Sequence, residues 1–339
     1  MVPCTAMNPE LSFQMIEIIA GGVAAQSVSV AAELGIADLL AHGPRTTAQL
    51  ASAAGVDAGK LFRLMRFLAS RGVFQEDAHG AWSLTPLADL LRSDAPHSMR
   101  AGARMFGRMS SVWPKLEENV RTGACAYSLA FGRPIFEDLA HKPEDAAIFD
   151  AAMTSFHGGE TDAVLDAYSY DGIQVLADIG CGIGTVMAAT LHRYPAMRGI
   201  LFDQGHVIER TTPHIDAAGV AGRCTLVSGN FFEAVPSGAD AYTMRHILHD
   251  WSDELCITIL GNIRRVIPAD GRLLVIETVV PEGNEPSASK LFDMVMMAFP
   301  DGMERSEAQF RAIFDASGFS LTGITPTASP VSVIEARPV

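Results

Sequence analysis

The stretch "LADIGCGIGTV", residues 176–186, sets three glycines where an apolar run turns into a helical pattern. Glycines at Gly180, Gly182 and Gly184 take side chains out of a tight strand-to-helix turn and let backbone N–H groups approach a ligand closely. The spacing is not that of a dinucleotide loop, because the third glycine comes one residue early for GxGxxG. Asp178, inside the strand just before the turn, would repel a pyrophosphate. It suits a ligand that carries a cationic amino group. Some twenty residues on, "GILFD" (199–203) ends in Asp203, whose carboxylate can accept both hydroxyls of a ribose. Together the two acids and the loop point to a nucleoside-bearing cationic cofactor, and S-adenosylmethionine answers that description.

Outward from the loop, further strand-like runs follow: "CTLVSGN" (224–230), "ADAYTMR" (239–245) and "RLLVIETVV" (272–280), with helical runs at Thr185 to Arg193 and Asp253 to Val266. Nearly continuous apolar strands alternating with helices predict an α/β, Rossmann-like doubly wound, mostly parallel sheet covered on both faces. Such sheets bind ligands at the carboxyl ends of their strands, beside the switch point of the strand order.

Before about residue 165 the rhythm is helical instead. In "TTAQLASAAGVDAGKLFRLMRFLASRGVF" (46–74), Thr46 and Gln49 have capping-box spacing and Asp57 can cap a second helix. Leu61, Leu64, Met65 and Leu68 then share one helical face, and "GVFQEDAHGAWSL" alternates like a small hairpin. This is the outline of a winged helix-turn-helix. The two readings are DNA binding through Lys60, Arg63 and Arg66, or a dimerisation scaffold. The second is preferred, because a formal charge of −14 opposes binding to phosphate backbones.

The chain of 339 residues has room for two domains, at roughly 100–200 residues each. We expect 1–105 to be the winged-helix-like dimerisation domain, 106–165 a helical linker contributing to the acceptor pocket, and 166–339 the cofactor-binding catalytic domain. Five scattered cysteines (Cys4, Cys125, Cys181, Cys224, Cys256) without a CxxC pair suit free thiols. The N-terminal "MVPCTAMNPELSF" has no signal-peptide pattern, and no run of about 18 apolar residues occurs, so a cytoplasmic protein without a membrane partner is expected.

The stretch "MRHILHDWSDE" (244–254) places His246 and His249 three apart. A metal pair would need a third ligand, and no standard metal spacing is present, so no metal is expected. One of the two histidines could instead be a proton acceptor at a ligand pocket. A phenol of pKa about 10 is a poor nucleophile at neutral pH, whereas an imidazole of pKa about 6.5 is free to take its proton.

From about 105 to the C-terminus the chain resembles the small-molecule O-methyltransferases of the caffeic acid and hydroxyindole type, including bacterial relatives that act on antibiotics and pigments. The supporting residues are "LADIGCGIG", "GILFDQGHVI", "GNFFEAVPSGAD", "HDWSDE", "LLVIETVVP" and "DGMERSEAQFRAIFDASGF". The N-terminal part is similar to that family's dimerisation domain, and the apolar "FQMIEIIAGGVAAQSVSVAAELGI" needs covering, so a homodimer is expected.

The resemblance implies metal-independent methyl transfer from S-adenosylmethionine to a hydroxyl of an aromatic small molecule, with S-adenosylhomocysteine as product. His249 matches the family's base, Glu277 and Glu304 match the acids that flank it, and Asp250 matches a supporting residue. Either glutamate could hold the ring. Asn230 stands where the family usually has an adenine-binding aspartate and can still accept through its amide oxygen. Phe231 matches a residue beside the adenine, and Arg245 a basic position at the far side of the adenosine site. Phe149, Met153 and Met296 match acceptor-lining positions, which implies a flat aromatic substrate. The rival readings are a relative with altered chemistry, decarboxylation or hydroxylation, and a DNA-binding regulator.

Overall fold

The computed structural model describes residues 8–339, so Cys4 and the first residues of the N-terminal stretch lie outside it. Contacts divide the chain into two compact units: residues up to Ser111 with Asp138–Gly158, and Val112–Glu137 with Gly159–Val339.

In the first unit, Thr46 caps the helix Thr47–Ala54 through a complete capping box with Gln49, and Gly55 ends it in the left-handed region. The Asp57 carboxylate accepts the Lys60 N–H at 2.7 Å and starts the helix Ala58–Ser70. Its buried face, Leu61, Met65 and Leu68, packs with Phe74 and Trp82. Strands β1 (Arg45–Thr46), β2 (Phe74–Glu76) and β3 (Ala81–Leu84) form a small antiparallel sheet in the order β1-β3-β2. Lys60, Arg63 and Arg66 are exposed. The helix Pro9–Ile19 buries no residue, and Phe13, Ile16, Ile18 and Ile19 are exposed on it.

The second unit contains β4 (Val175–Ile179), β5 (Arg198–Asp203), β6 (Cys224–Ser228), β7 (Ala241–Arg245), β8 (Arg272–Glu277), β9 (Phe319–Pro326) and β10 (Ser332–Pro338). They form one sheet in the order β6-β5-β4-β7-β8-β10-β9. The first five are parallel, whereas β10 runs antiparallel between β8 and β9. Side chains divide by the two-residue period between two cores: Ala177, Ile179, Tyr242, Met244, Leu273 and Val275 in one, and Leu176, Ala241, Leu274 and Ile276 in the other. Burial on both faces explains why these strands read as unbroken apolar runs.

After β4 the chain steps outward through β5 to β6, then returns to the other side of β4 for β7 and β8. The switch point therefore lies between β4 and β7. At the carboxyl ends that frame it stand Asp178 and Gly180, Asp203, Asn230, Arg245 to Asp250, and Glu277. Among the described residues no single helix is long and apolar enough to cross a membrane, although the bent pair Pro9–Ile19 and Gly21–Glu33 together has the composition for one.

Candidate active site

The turn after β4 depends on Gly180. Its φ is +74°, and a Cβ there would meet Ile247 Cδ1 at 2.3 Å, so the loop from β7 can sit directly against the glycine turn. Asp203, at the end of β5, secures the same turn: its Oδ2 accepts the Gly182 N–H at 2.9 Å and its Oδ1 the Gln204 N–H at 2.7 Å. Asp178 is different. It is 3% exposed, and its Oδ2 has no hydrogen-bond partner among the described residues. Burial raises its pKa to about 7, with Arg245 working against the shift and Asp203 adding to it. A buried, unsatisfied carboxylate oxygen beside a glycine turn fits a positively charged amino group, because such a donor supplies both the missing hydrogen bond and the counter-charge.

Arg245 donates through Nη1 to Thr161 Oγ1 at 3.0 Å. Asn230 is exposed, and its side chain makes a local turn: Oδ1 accepts the Phe232 N–H at 3.0 Å while Nδ2 donates to Glu233 at 3.2 Å. The amide oxygen proposed for adenine already carries one backbone donor and has one lone pair left. Phe231 is half-buried, edge-on to Phe232 at 4.8 Å and to Trp251 at 6.1 Å between ring centroids.

His249 lies in the short helical turn Leu248–Asp250 that follows β7. The parallel register pairs Arg245 with Ile276, which brings Glu277 level with that turn. Glu277 Oε1 accepts the backbone N–H groups of Ile247, Leu248 and His249 at 3.1, 2.6 and 3.2 Å. Glu277 thus holds the turn, whereas the ring belongs to Glu304: His249 Nδ1 donates to Glu304 Oε1 at 3.0 Å. A carboxylate only accepts, so Nδ1 carries the proton and the neutral ring keeps its lone pair on Nε2. Nε2 is 3.6 Å from Asp250 Oδ1, too far for a hydrogen bond but close enough for charge attraction. Burial works against the imidazolium, but Asp250, Glu304 and Glu277 together outweigh it and raise the His249 pKa to about 9. Burial raises Glu277 to about 6, with His249 opposing the shift.

The neighbouring His246 takes the opposite charge state. Its φ is +53°, its Nε2 is 2.8 Å from Glu160 Oε2, and its ring centroid is 5.1 Å from that of His249. Burial, then His249 and Arg245, hold its pKa well below the ordinary histidine value. It packs at the sheet edge and is mostly buried.

The segment after the helix Ala288–Ala298 closes over His249. The Gly302 N–H donates to the Met296 carbonyl at 3.1 Å and the Met303 N–H to the His249 carbonyl at 2.8 Å. A Cβ on Gly302 would lie 2.0 Å from the His249 carbonyl oxygen and 2.9 Å from Asp250 Cα. Gly302→Ala is therefore expected to cost about 1–3 kcal/mol in stability and to displace His249. Thermal unfolding and turnover should fall together, and an alanine variant with unchanged turnover would show that the segment yields freely.

Arg305, fully buried, braces the same turn: it donates to the carbonyls of Leu248 and Trp251, each at 2.8 Å, and to Asp253 at 2.8–2.9 Å. Nothing in the spacing of the sequence marks Gly302 and Arg305 as braces of this turn. A glycine and an arginine flanking Glu304 in "DGMERS" were the available signal. Met296 is partly buried on the helix of this second unit. Phe149 and Met153 are partly buried on the helix Pro143–His157 of the first unit, and their acceptor role rests on the resemblance alone.

The family model described as the O-methyltransferase domain matches residues 113–320, and the O-methyltransferase dimerisation domain matches residues 16–94. A phenazine O-methyltransferase of Lysobacter antibioticus is 42% identical, covering 97% of each chain. A mitomycin biosynthesis 6-O-methyltransferase of Streptomyces lavendulae is 35% identical, over 99% of this chain and 97% of its own. Among solved structures, the calicheamicin-biosynthesis methyltransferase CalO1 in its S-adenosylhomocysteine-bound form superposes with a TM-score of 0.86 at 34% identity, over 98% of this chain and all of that one. This chain belongs to the O-methyltransferase family, with that family's catalytic and dimerisation domains both present.

Proposed function

We propose that the protein transfers a methyl group from S-adenosylmethionine to a hydroxyl of an aromatic small molecule, with His249 as the proton acceptor. The observation that carries this reading is the His249 ring, fixed through Nδ1 by Glu304 at the carboxyl ends of the sheet with Nε2 left for the acceptor hydroxyl. S-adenosylmethionine supplies an electrophilic methyl on a cationic sulfur that leaves as a neutral thioether. Asp178 binds its amino group, the glycine turn at Gly180 and Gly182 admits its backbone-facing part, and Asp203 takes the ribose hydroxyls with the lone pairs its backbone donors leave unused. Asn230, Phe231 and Arg245 surround the adenosine. Glu277 fixes the turn, Glu304 the ring, and Asp250 supports the imidazolium.

In the step itself His249 would take the hydroxyl proton at Nε2 as the oxygen attacks the methyl that bound S-adenosylmethionine would supply from its sulfur, and the imidazolium would later release its proton to solvent. His249 must be neutral to begin. Because its surrounding carboxylates hold it charged, it loses its proton most readily when positive charge sits beside it. Met296, whose backbone anchors the segment over His249, is assigned to the acceptor, as are Phe149 and Met153.

We assign residues 1–105 to dimerisation, 106–165 to a helical linker and 166–339 to catalysis, and place the protein in the cytoplasm as a homodimer. The exposed apolar face of the helix Pro9–Ile19 supports a partner copy, and the four described cysteines are free. With net charge −14, neither nucleic acid nor a membrane is assigned as a partner. The altered-chemistry and regulator readings have no observation in their favour.

The test is mass spectrometry of a panel of hydroxylated phenazines, quinones, naphthoates and indoles incubated with protein, S-adenosylmethionine and a chelator. One added methyl mass with equimolar S-adenosylhomocysteine is the expected result. A product that has lost carbon dioxide or gained oxygen instead would overturn it.

A further inference from the structure

We propose that Thr278 is a positioning residue for His249, acting through Glu304: its hydroxyl holds the far oxygen of that carboxylate, and so keeps the near oxygen an acceptor for Nδ1.

Thr278 follows Glu277 directly at the end of β8 and is buried, as is Glu304. Its Oγ1 donates to Glu304 Oε2, while Oε1 of the same carboxylate receives His249 Nδ1 at 3.0 Å. The Glu304 backbone N–H is tied to Asp293 Oδ1 at 3.0 Å, so the residue is fixed at both ends. A buried carboxylate with a donor on each oxygen stays ionised, whereas one that loses a donor takes up a proton more readily. Burial works against the Glu304 carboxylate, and the hydrogen bonds from His249 and Thr278 hold it below the ordinary glutamate value.

The consequence is a choice of proton position. With Glu304 ionised, Nδ1 keeps its proton and neutral His249 presents a bare Nε2. With Glu304 protonated, Glu304 donates to Nδ1 and the remaining ring proton sits on Nε2, where the ring cannot act as a base. The Thr278 donor favours the first arrangement and lowers the proton affinity of the His249–Glu304 pair. The other charged groups facing the pair are Asp250 and Glu277 beside His249, His246 across from its ring, and Asp293 and Arg305 beside Glu304. None of them donates to Glu304 Oε2 in the hydrogen bonds of the described residues.

The test is histidine-ring NMR titration of the cofactor-free protein, with the His249 signals assigned by their loss in His249→Gln. Thr278→Val is expected to raise the His249 midpoint by about one pH unit, a tenfold gain in proton affinity, and Thr278→Ser to restore it. Thr278→Ala serves as a second hydroxyl-free variant if the valine variant does not fold. An unchanged midpoint in a folded hydroxyl-free variant, or an equal shift in the serine variant, overturns the proposal. This arm does not depend on His249 being the base. The kinetic arm does rest on that reading: with an acceptor that the panel identifies, kcat/KM of Thr278→Val falls about tenfold at pH 7, and the deficit closes as pH rises. A deficit equal at every pH means a packing role only and overturns the proposal.

Discussion

His249→Gln is expected to lower methyl transfer about 10²- to 10⁴-fold while leaving cofactor affinity close to that of the parent, because it would remove the proposed proton acceptor and leave Asp178, Gly180 and Asp203 untouched. Glutamine is polar and close in length, so the segment over His249 keeps its seat: the anchoring bond from Met303 goes to the backbone carbonyl and not to the ring. The loss should depend on the acceptor. A phenol already ionised at the assay pH needs no base and should lose little, whereas one of pKa about 10 should lose most. In the parent, turnover should rise with pH as the imidazolium, whose pKa stands at about 9 in the ligand-free protein, gives up its proton. The variant should lose that limb. The measurement pairs single-turnover rates across pH with calorimetric binding of S-adenosylhomocysteine. Parental rates on an un-ionised phenol would remove His249 from the chemistry, while lost binding would make it a cofactor residue.

Why the sequence pointed to His249 but not to its partner is a matter of register. Glu277 and Glu304 both match family positions that flank the histidine, and the resemblance leaves either one to meet the ring. The pairing of Arg245 with Ile276 in the β7–β8 register decides it, by bringing Glu277 to the backbone of the turn. Glu304 reaches the ring because Gly302 allows its segment to lie against the His249 carbonyl, and a close approach of this kind has no sequence period. The parallel strands were readable since burial on both faces makes their apolar runs continuous. The hairpin of β9 and β10 was not: "FSLTGITPTASPVSVIEARP" is broken by prolines, glycine and threonines, and its β10 pairs antiparallel with β8 on one side and β9 on the other, while the outer β9 is buried only at Phe319 and Leu321. Caps were readable in the first unit, where Thr46 with Gln49 and Asp57 with Lys60 act within a few residues of one another.

Asp178→Asn is expected to weaken cofactor binding by about 2–5 kcal/mol, roughly 30- to 5,000-fold, because it would take the charge from the carboxylate proposed to meet the cofactor's amino group. The pH dependence separates this from a general loss of shape. Asp178 is raised from an ordinary aspartate value to about 7, mainly by burial. A carboxyl group with a folded pKa above its unfolded one binds protons preferentially in the native state, so its contribution to stability is fully present at low pH and is lost as pH rises through 7. Above that point the ligand-free protein holds an ionised, unpartnered oxygen that a bound ammonium group would satisfy. Cofactor affinity in the parent should therefore climb by up to tenfold per pH unit between about 5 and 7 and then flatten in this component. In Asp178→Asn that component should vanish, and the ligand-free variant should melt higher than the parent at pH 8. Glu277, raised to about 6, and His249, at about 9, also lose protons over this range, so the decisive quantity is the difference between parent and variant at each pH. Calorimetric titration with S-adenosylhomocysteine at pH 6 and pH 8, with thermal melts at both, measures it. A variant that binds as the parent does at pH 8 would show that the unsatisfied oxygen of Asp178 is answered by something other than the cofactor.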